Sequence, residues 1–175
     1  MDGQVMERGL AQVLGRRVDY ADLYFEYRVN EGLGLEEGIV KTATRQVTQG
    51  VGVRATAAER TGYAYTDDLA PERILHAART AALIARGPAR QPVVGLKNDR
   101  LRNLYPVAAP PVNAEVAGKL ELVMRADRAA RAYDPRSAQV RVSYADELRE
   151  ILVVGSDGTC ATDSQPLARL NVFCI

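Results

Sequence analysis

The stretch TQGVGVRATAAERTGYAYTDD, residues 48–68, decides how the chain is read. Its glycines raise the question of a phosphate-cradling loop, in which backbone N–H groups converge on an anion just ahead of a helix. Here Gly50 and Gly52 lead instead into Val51, Val53, Ala55 and Ala57, with Arg54, Thr56 and Ala58 interleaved. That period of two belongs to a half-buried strand, whose successive side chains point to opposite faces. A turn around Ala58–Arg60 then returns Gly62-Tyr63-Ala64-Tyr65 as a second strand. The glycines therefore mark a bulge or a close backbone approach, and a nucleotide site is not expected.

On the N-terminal side, residues 3–14 read as a helix with Met6, Leu10, Val13 and Leu14 on one face and Gly15 as its stop. ADLYFEYRV, 21–29, alternates as an amphipathic strand, and EGLGLEEGIVKTATRQ, 31–46, reads as a hairpin turning at Glu36-Glu37-Gly38. On the C-terminal side, Asp67 or Asp68 can cap a helix that has Pro71 and Glu72 in its first turn. Ile74, Ala78, Ala81, Ala82 and Ala85 form its apolar stripe, small enough for close approach to a sheet, and Arg86 and Gly87 end it. Residues 87–112 hold five of the eight prolines and no helical period, so they read as an extended connector. A helix from Asn113 shows Val116, Leu120, Val123 and Met124 on one face, interrupted by Asp127 and ended near Pro135. AQVRVSY, EILVVGSDGTCATD and LARLNVFCI then return to strand, with a turn at Asp157-Gly158.

The expected class is α+β (α/β), a mainly antiparallel sheet with three helices in two similar helix-plus-hairpin halves, 1–87 and 113–175, joined by 88–112. The chain stops at Ile175 inside an apolar strand pattern, so a piece of something longer is expected.

A hydrophobic share of 47%, a charged share of 26% and a net charge of +1 indicate neither a nucleic-acid partner nor a membrane surface. Cys160 and Cys174 lack CxxC spacing, so neither zinc nor a disulfide framework is read from them, and a reducing cytoplasm is the expected home. The single histidine, His76, has no acid or cysteine at helical spacing and reads as a surface residue. Glu36-Glu37 and Asp67-Asp68 are adjacent pairs already used in turn and cap chemistry. Ser143, Ser156 and Ser164 lack a nucleophile context. Arg86, Arg90, Lys97, Arg100 and Arg102 lie in the proline-rich connector without aromatic interleaving, so they read as a solvated linker. Tyr20, Tyr24, Tyr27, Tyr63 and Tyr65 lie on or beside strands; they rim the core, and the outward ones could floor a groove. No catalytic, cofactor-binding or metal residue is assigned. The many short strands must leave an edge able to accept an extended peptide.

The blocks ADLYFEYR, EEGIVK, QGVGVRA and TGYAYTDDL, with the later EILVVGSDGTCATDSQPLARLNV, resemble the TldD/PmbA family, in its TldD branch. That resemblance implies a bacterial or archaeal metallopeptidase, usually zinc-dependent, also named a modulator of DNA gyrase. In such a family TldD-like and PmbA-like subunits degrade or trim small unfolded peptides. The family's HExxxH motif and further cysteine ligand belong to a C-terminal half, and neither motif stands in this sequence. The resemblance thus implies a non-catalytic N-terminal scaffold and peptide-admitting domain. Its implied partners are its own C-terminal catalytic domain, a PmbA/TldE-like subunit or a second copy, and an extended peptide, with zinc in the full-length protein. The alternative is a stand-alone interaction module that modulates gyrase or an antitoxin by binding.

Overall fold

The computed structural model describes residues 3–14, 18–85 and 106–175, and the backbone of 97–98. Three helices, α1 (Gly3–Leu14), α2 (Pro71–Ala85) and α3 (Val116–Tyr133), accompany six strands. These are β1 (Tyr20–Glu36), β2 (Ile39–Ala57), β3 (Arg60–Thr66), β4 (Lys97–Asn98), β5 (Val140–Gly155) and β6 (Thr159–Cys174). The sheet order is β3-β2-β1-β5-β6-β4. Five strands run antiparallel, and the two-residue β4 adds in parallel, with Lys97 opposite Thr159 and Asn98 opposite Cys160. This is the expected α+β class.

Two strands are longer than the sequence pattern suggests. The separate strand 21–29 and the hairpin 31–46 are one 17-residue β1 and the first part of a 19-residue β2. Gly32 and Gly34 interrupt the alternation in sequence, but Thr44 and Thr42 of the neighbouring strand lie over them and fill the space their missing side chains leave. The turn between β1 and β2 has positive φ at both Glu37 (53°) and Gly38 (73°), the pattern of a tight I′ hairpin. The turn between β5 and β6 uses a longer loop, closed by Gly158 N–H to the Gly155 carbonyl at 3.1 Å and with Gly158 at φ 94°.

Contacts divide the chain into two units, the first made of 1–27, 48–103 and 150–163, the second of 28–47, 104–149 and 164–175. These differ from the halves 1–87 and 113–175. The first half gives its helices to one unit and the β1–β2 tip to the other, and the second half divides α3 and the β5–β6 tip in the same way, because these strands are long enough to belong to both.

The first unit packs α1 and α2 on the sheet. Met6, Gly9, Leu10 and Val13 line the buried side of α1, at helical spacing. They meet Leu23, Phe25, Val51, Val53, Ala55 and Val154 from the strands. Fully burying a leucine such as Leu10 is worth about 1.5–3 kcal/mol. α2 buries Ile74 and five alanines, Ala77, Ala78, Ala81, Ala82 and Ala85. Gly62 of β3 explains the small residues: a Cβ there would overlap the Ala81 carbonyl oxygen and the Ala85 backbone, so helix and strand touch backbone to backbone. Asp68 departs from its expected cap role. Its Oδ1 accepts from Ala70 N–H at 2.9 Å, before the helix, while the Ala70 carbonyl accepts from Arg73 and Ile74. Asp68 shapes the approach to α2 because Pro71, with no N–H, occupies the first helical position. The stops expected at Gly15 and at Arg86-Gly87 lie outside the described residues, as does most of the connector 88–112.

The second unit packs α3 against β1 and β5 through Leu35, Val123, Val140, Val142 and Tyr144. The buried face of α3 is Lys119, Val123 and Asp127; of the expected Val116, Leu120, Val123 and Met124, Val123 alone is fully buried. Val116 is 58% exposed and Met124 38% exposed. The helix is turned so that its lysine reaches two carboxylates on the strands, an outcome that apolar periodicity alone does not encode.

Candidate functional site

In the first unit the strands show one side to the helices and another to the outside. Leu23, Val51, Val53, Gly62 and Ala64 face the core. Between them, Tyr24 and Glu26 of β1, Gly50 and Gly52 of β2, and Tyr63 and Tyr65 of β3 alternate to the opposite side. Register places Gly52 opposite Tyr65 and Arg54 opposite Tyr63. The Tyr63 ring leans diagonally over Gly52, where an added Cβ would come within 2.5 Å of its hydroxyl oxygen. Gly50 is confined less tightly, with Thr66 O 3.0 Å from an added Cβ. These two glycines line a depression of about 260 Å³ whose lining also includes Tyr24, Glu26, Tyr63, Tyr65 and Asp67.

The tyrosines that line it stay accessible: Tyr65 is 77% exposed, Tyr63 59% and Tyr24 37%. The Tyr24 hydroxyl donates to Glu26 Oε2 at 2.8 Å. Beside the depression, Arg54 donates through Nε to Asp22 Oδ2 at 2.7 Å and holds the same oxygen through Nη2 at 2.6 Å. Burial pushes the Tyr20 phenol up, and the carboxylates of Asp22 and Asp157 add to that, so Tyr20 stays neutral. β3 is last in the strand order, so one row of its backbone N–H and C=O groups has no ladder partner among the described strands. An aromatic depression bordered by a strand edge suits an extended chain, with main-chain hydrogen bonds to the edge and side chains in the depression.

The other residues considered from sequence are dispersed. His76 lies on the exposed side of α2. Glu36 accepts from Gln139 Nε2 at 2.9 Å and from Arg141 Nε at 2.8 Å, while Glu37 forms the turn. Ser156 Oγ accepts from the buried Ala21 N–H at 3.0 Å, and Ser143 Oγ accepts from Asn171 Nδ2 at 3.2 Å. Asp67 joins the depression, but Asp68 does not. The side chains of Arg86, Arg90, Lys97, Arg100 and Arg102 lie outside the described residues. Among the described residues, no three or more of His, Cys, Asp and Glu are grouped to hold a metal ion, so a zinc ligand set does not fit onto them.

A charged cluster that sequence reasoning missed lies in the second unit. Lys119 Nζ contacts Asp146 Oδ2 at 2.7 Å and also bonds Glu31. Arg45 pairs with Glu31, and the Tyr144 hydroxyl donates to Asp146 Oδ2 at 2.7 Å. Two cations and two carboxylates balance. Desolvation works against the charged Lys119 ammonium, yet its hydrogen bonds to Asp146 and Glu31 prevail and hold its pKa above the ordinary lysine value. Tyr144 is pushed well above the ordinary phenol range by burial and by its bond to Asp146. The only signal in the sequence was the four-residue spacing of Lys119, Val123 and Asp127. The cluster's charges are spent on one another, which marks it as a device for seating α3.

Comparison with known proteins places this geometry. The profile of the PmbA/TldA metallopeptidase domain 1 matches residues 21–85, and that of the PmbA/TldA metallopeptidase central domain matches 109–175. The chain is 35% identical over 161 residues to a metalloprotease TldD homolog of Haemophilus influenzae, covering 90% of this chain and 33% of that protein. It is 34% identical over 155 residues to the homolog of Buchnera aphidicola, covering 89% and 32%. The chain thus spans about a third of the length of these relatives. Among solved structures, a proposed modulator of DNA gyrase from Thermotoga maritima superposes with a TM-score of 0.72 at 16% identity, covering 98% of this chain and 42% of that one. TldE from Thermococcus kodakarensis gives 0.65 at 18% identity, covering 98% and 39%. At these identities the structural likeness speaks for the fold. No helix among the described residues is long and apolar enough to cross a membrane.

Proposed function

The chain belongs to the PmbA/TldD metallopeptidase family, and from that premise we propose that it is the non-catalytic, peptide-admitting part of a TldD-type peptidase acting on small unfolded peptides. The observation that carries this reading is the depression of Tyr24, Tyr63 and Tyr65, lined by Gly50 and Gly52 beside the edge of β3. An extended peptide can add its backbone to that edge, whereas a folded protein cannot present a free strand there. Catalysis, with its zinc, belongs in this reading to a further domain of a longer, cytoplasmic protein. The assembly partner is a TldE-like subunit or a second TldD-like chain, as the names of the relatives suggest.

Titration of the chain with a short unstructured peptide, followed by backbone amide NMR, tests the reading. Shifts gathered on β3 and on Gly50–Gly52 are expected. Shifts elsewhere only, or none at millimolar peptide, would remove the peptide-admitting role and leave a stand-alone interaction module. Incubation of the chain with peptide and zinc is expected to give no hydrolysis, and metal-dependent cleavage would overturn the non-catalytic assignment.

A further inference from the structure

We propose that the tyrosine depression of the first unit is selective, and takes a cationic side chain, lysine or arginine, of the peptide laid along β3. This rests on the peptide-admitting reading and adds a chemical preference to it. The volume, about 260 Å³, lies below the range of small-molecule pockets, roughly 300–1,000 Å³, and suits one long side chain.

Among the described residues, the lining carries a single sign of charge. Glu26, which accepts from the Tyr24 hydroxyl, and Asp67 contribute carboxylates, and neither lysine nor arginine lines the depression among the described residues. The nearby Arg54 is turned to Asp22, with both Nε and Nη2 on one carboxylate oxygen. A peptide carboxylate entering here would meet the like charge of Asp67, whereas an ammonium or guanidinium would meet an opposite one.

The aromatic part points the same way. Tyrosine faces carry negative quadrupole charge, and a cation within about 6 Å of a ring centroid is attracted to them. Three exposed tyrosines line the depression, and the ring of Tyr63 lies across it because Gly52 has no side chain beneath it. An aliphatic stem can lie against the rings while its charged head reaches the acidic rim, the arrangement long cationic side chains adopt on apolar surfaces. The edge of β3 supplies the register, so that alternate peptide residues face the depression.

The test uses the 175-residue chain and three blocked pentapeptides of alanine, alike except for a central lysine, norleucine or glutamate. Affinities are read from the amide shifts of Gly50 and Gly52. The lysine peptide is expected to bind about 3- to 10-fold more tightly than the norleucine peptide, with glutamate weakest, and the preference should shrink as salt is raised. Asp67→Asn should weaken the lysine peptide about 2- to 5-fold and leave the norleucine peptide unchanged. Tyr65→Ala, at a position 77% exposed and so harmless to folding, should weaken both peptides, the lysine one more. Equal binding of lysine and norleucine peptides would overturn the cationic preference while leaving peptide admission intact. Binding of none of the three would remove both.

Discussion

Beneath α1 and α2 the sheet offers Leu23, Val51, Val53 and Ala55, and the helices answer with Leu10, Val13, Ile74 and alanines. Beneath α3 the same long strands β1 and β5 offer Glu31 and Asp146, and the helix answers with Lys119. The first unit is held by volume, at the density of a packed interior, where helix and strand backbones touch at Gly62. The second is held partly by pairing, in which each buried charge is tolerable only while its partner stays in place. A close-packed apolar face has no room for an added atom, and a buried lysine between two carboxylates has one seat. That difference makes the first unit sensitive to added atoms and the second to removed charge.

The sharpest way to break the comparison is Lys119→Met. It leaves Glu31 and Asp146 buried without their shared cation, and a loss of about 3–5 kcal/mol in urea unfolding is expected. Replacing Lys119, Glu31 and Asp146 together by apolar residues of similar volume should recover most of that loss. Failure to recover would mean that the charges do more than seat α3.

The matching perturbation in the first unit is Gly62→Ala. One methyl group forces α2 off β3, and about 3 kcal/mol is expected, at the top of the usual overpacking range. A loss under 1 kcal/mol by the same measurement would show that α2 can lift away freely.

Alkali should separate the units next. Lys119 and Tyr144 have folded pKa values raised above their ordinary 10.5 and 10.0, so the folded chain holds their protons more tightly than the unfolded chain. Their stabilising contribution is fully present below about pH 10 and is lost as pH rises from there through the folded values. Tyr20 adds a smaller effect of the same sign in the first unit. Amide exchange against pH should therefore show α3 opening before α2. Asp157 has the opposite sign, since the Thr159 N–H and hydroxyl lower its pKa, and its contribution is lost only as pH falls from about 3.8 through the lowered value.

The smallest effect is expected at the hairpin tips. Gly38 has φ 73° with open space around it, so Gly38→Ala isolates backbone strain, about 1 kcal/mol. A neutral result would show that the tip relaxes, as its exposed flanks Ile39 and Val40 allow.

Much of this architecture is legible in local pattern. Met6, Leu10 and Val13 mark α1, Ile74 with its alanines marks α2, and the Gly38 and Gly158 turns mark the β1–β2 and β5–β6 hairpins, because period and turn chemistry are properties of neighbouring residues. The strand lengths were hidden, since the threonines that fill the space over Gly32 and Gly34 come from the next strand. The tyrosines were legible as strand residues, and Asp67 as a turn residue. Their convergence required the register that sets Gly52 opposite Tyr65.

The sequence by itself determined the class of the fold, its hairpins and its family, since the blocks around QGVGVRA and TGYAYTDDL carry these in short range. Tertiary structure alone decided the rest. The face of α3 was chosen by carboxylates on β1 and β5, 88 residues before Lys119 and 27 after it. The depression was made by side chains from three strands. Both outcomes depend on contacts between residues far apart in the chain, and the electrostatic and steric energy of such contacts exceeds the local preferences that periodicity records.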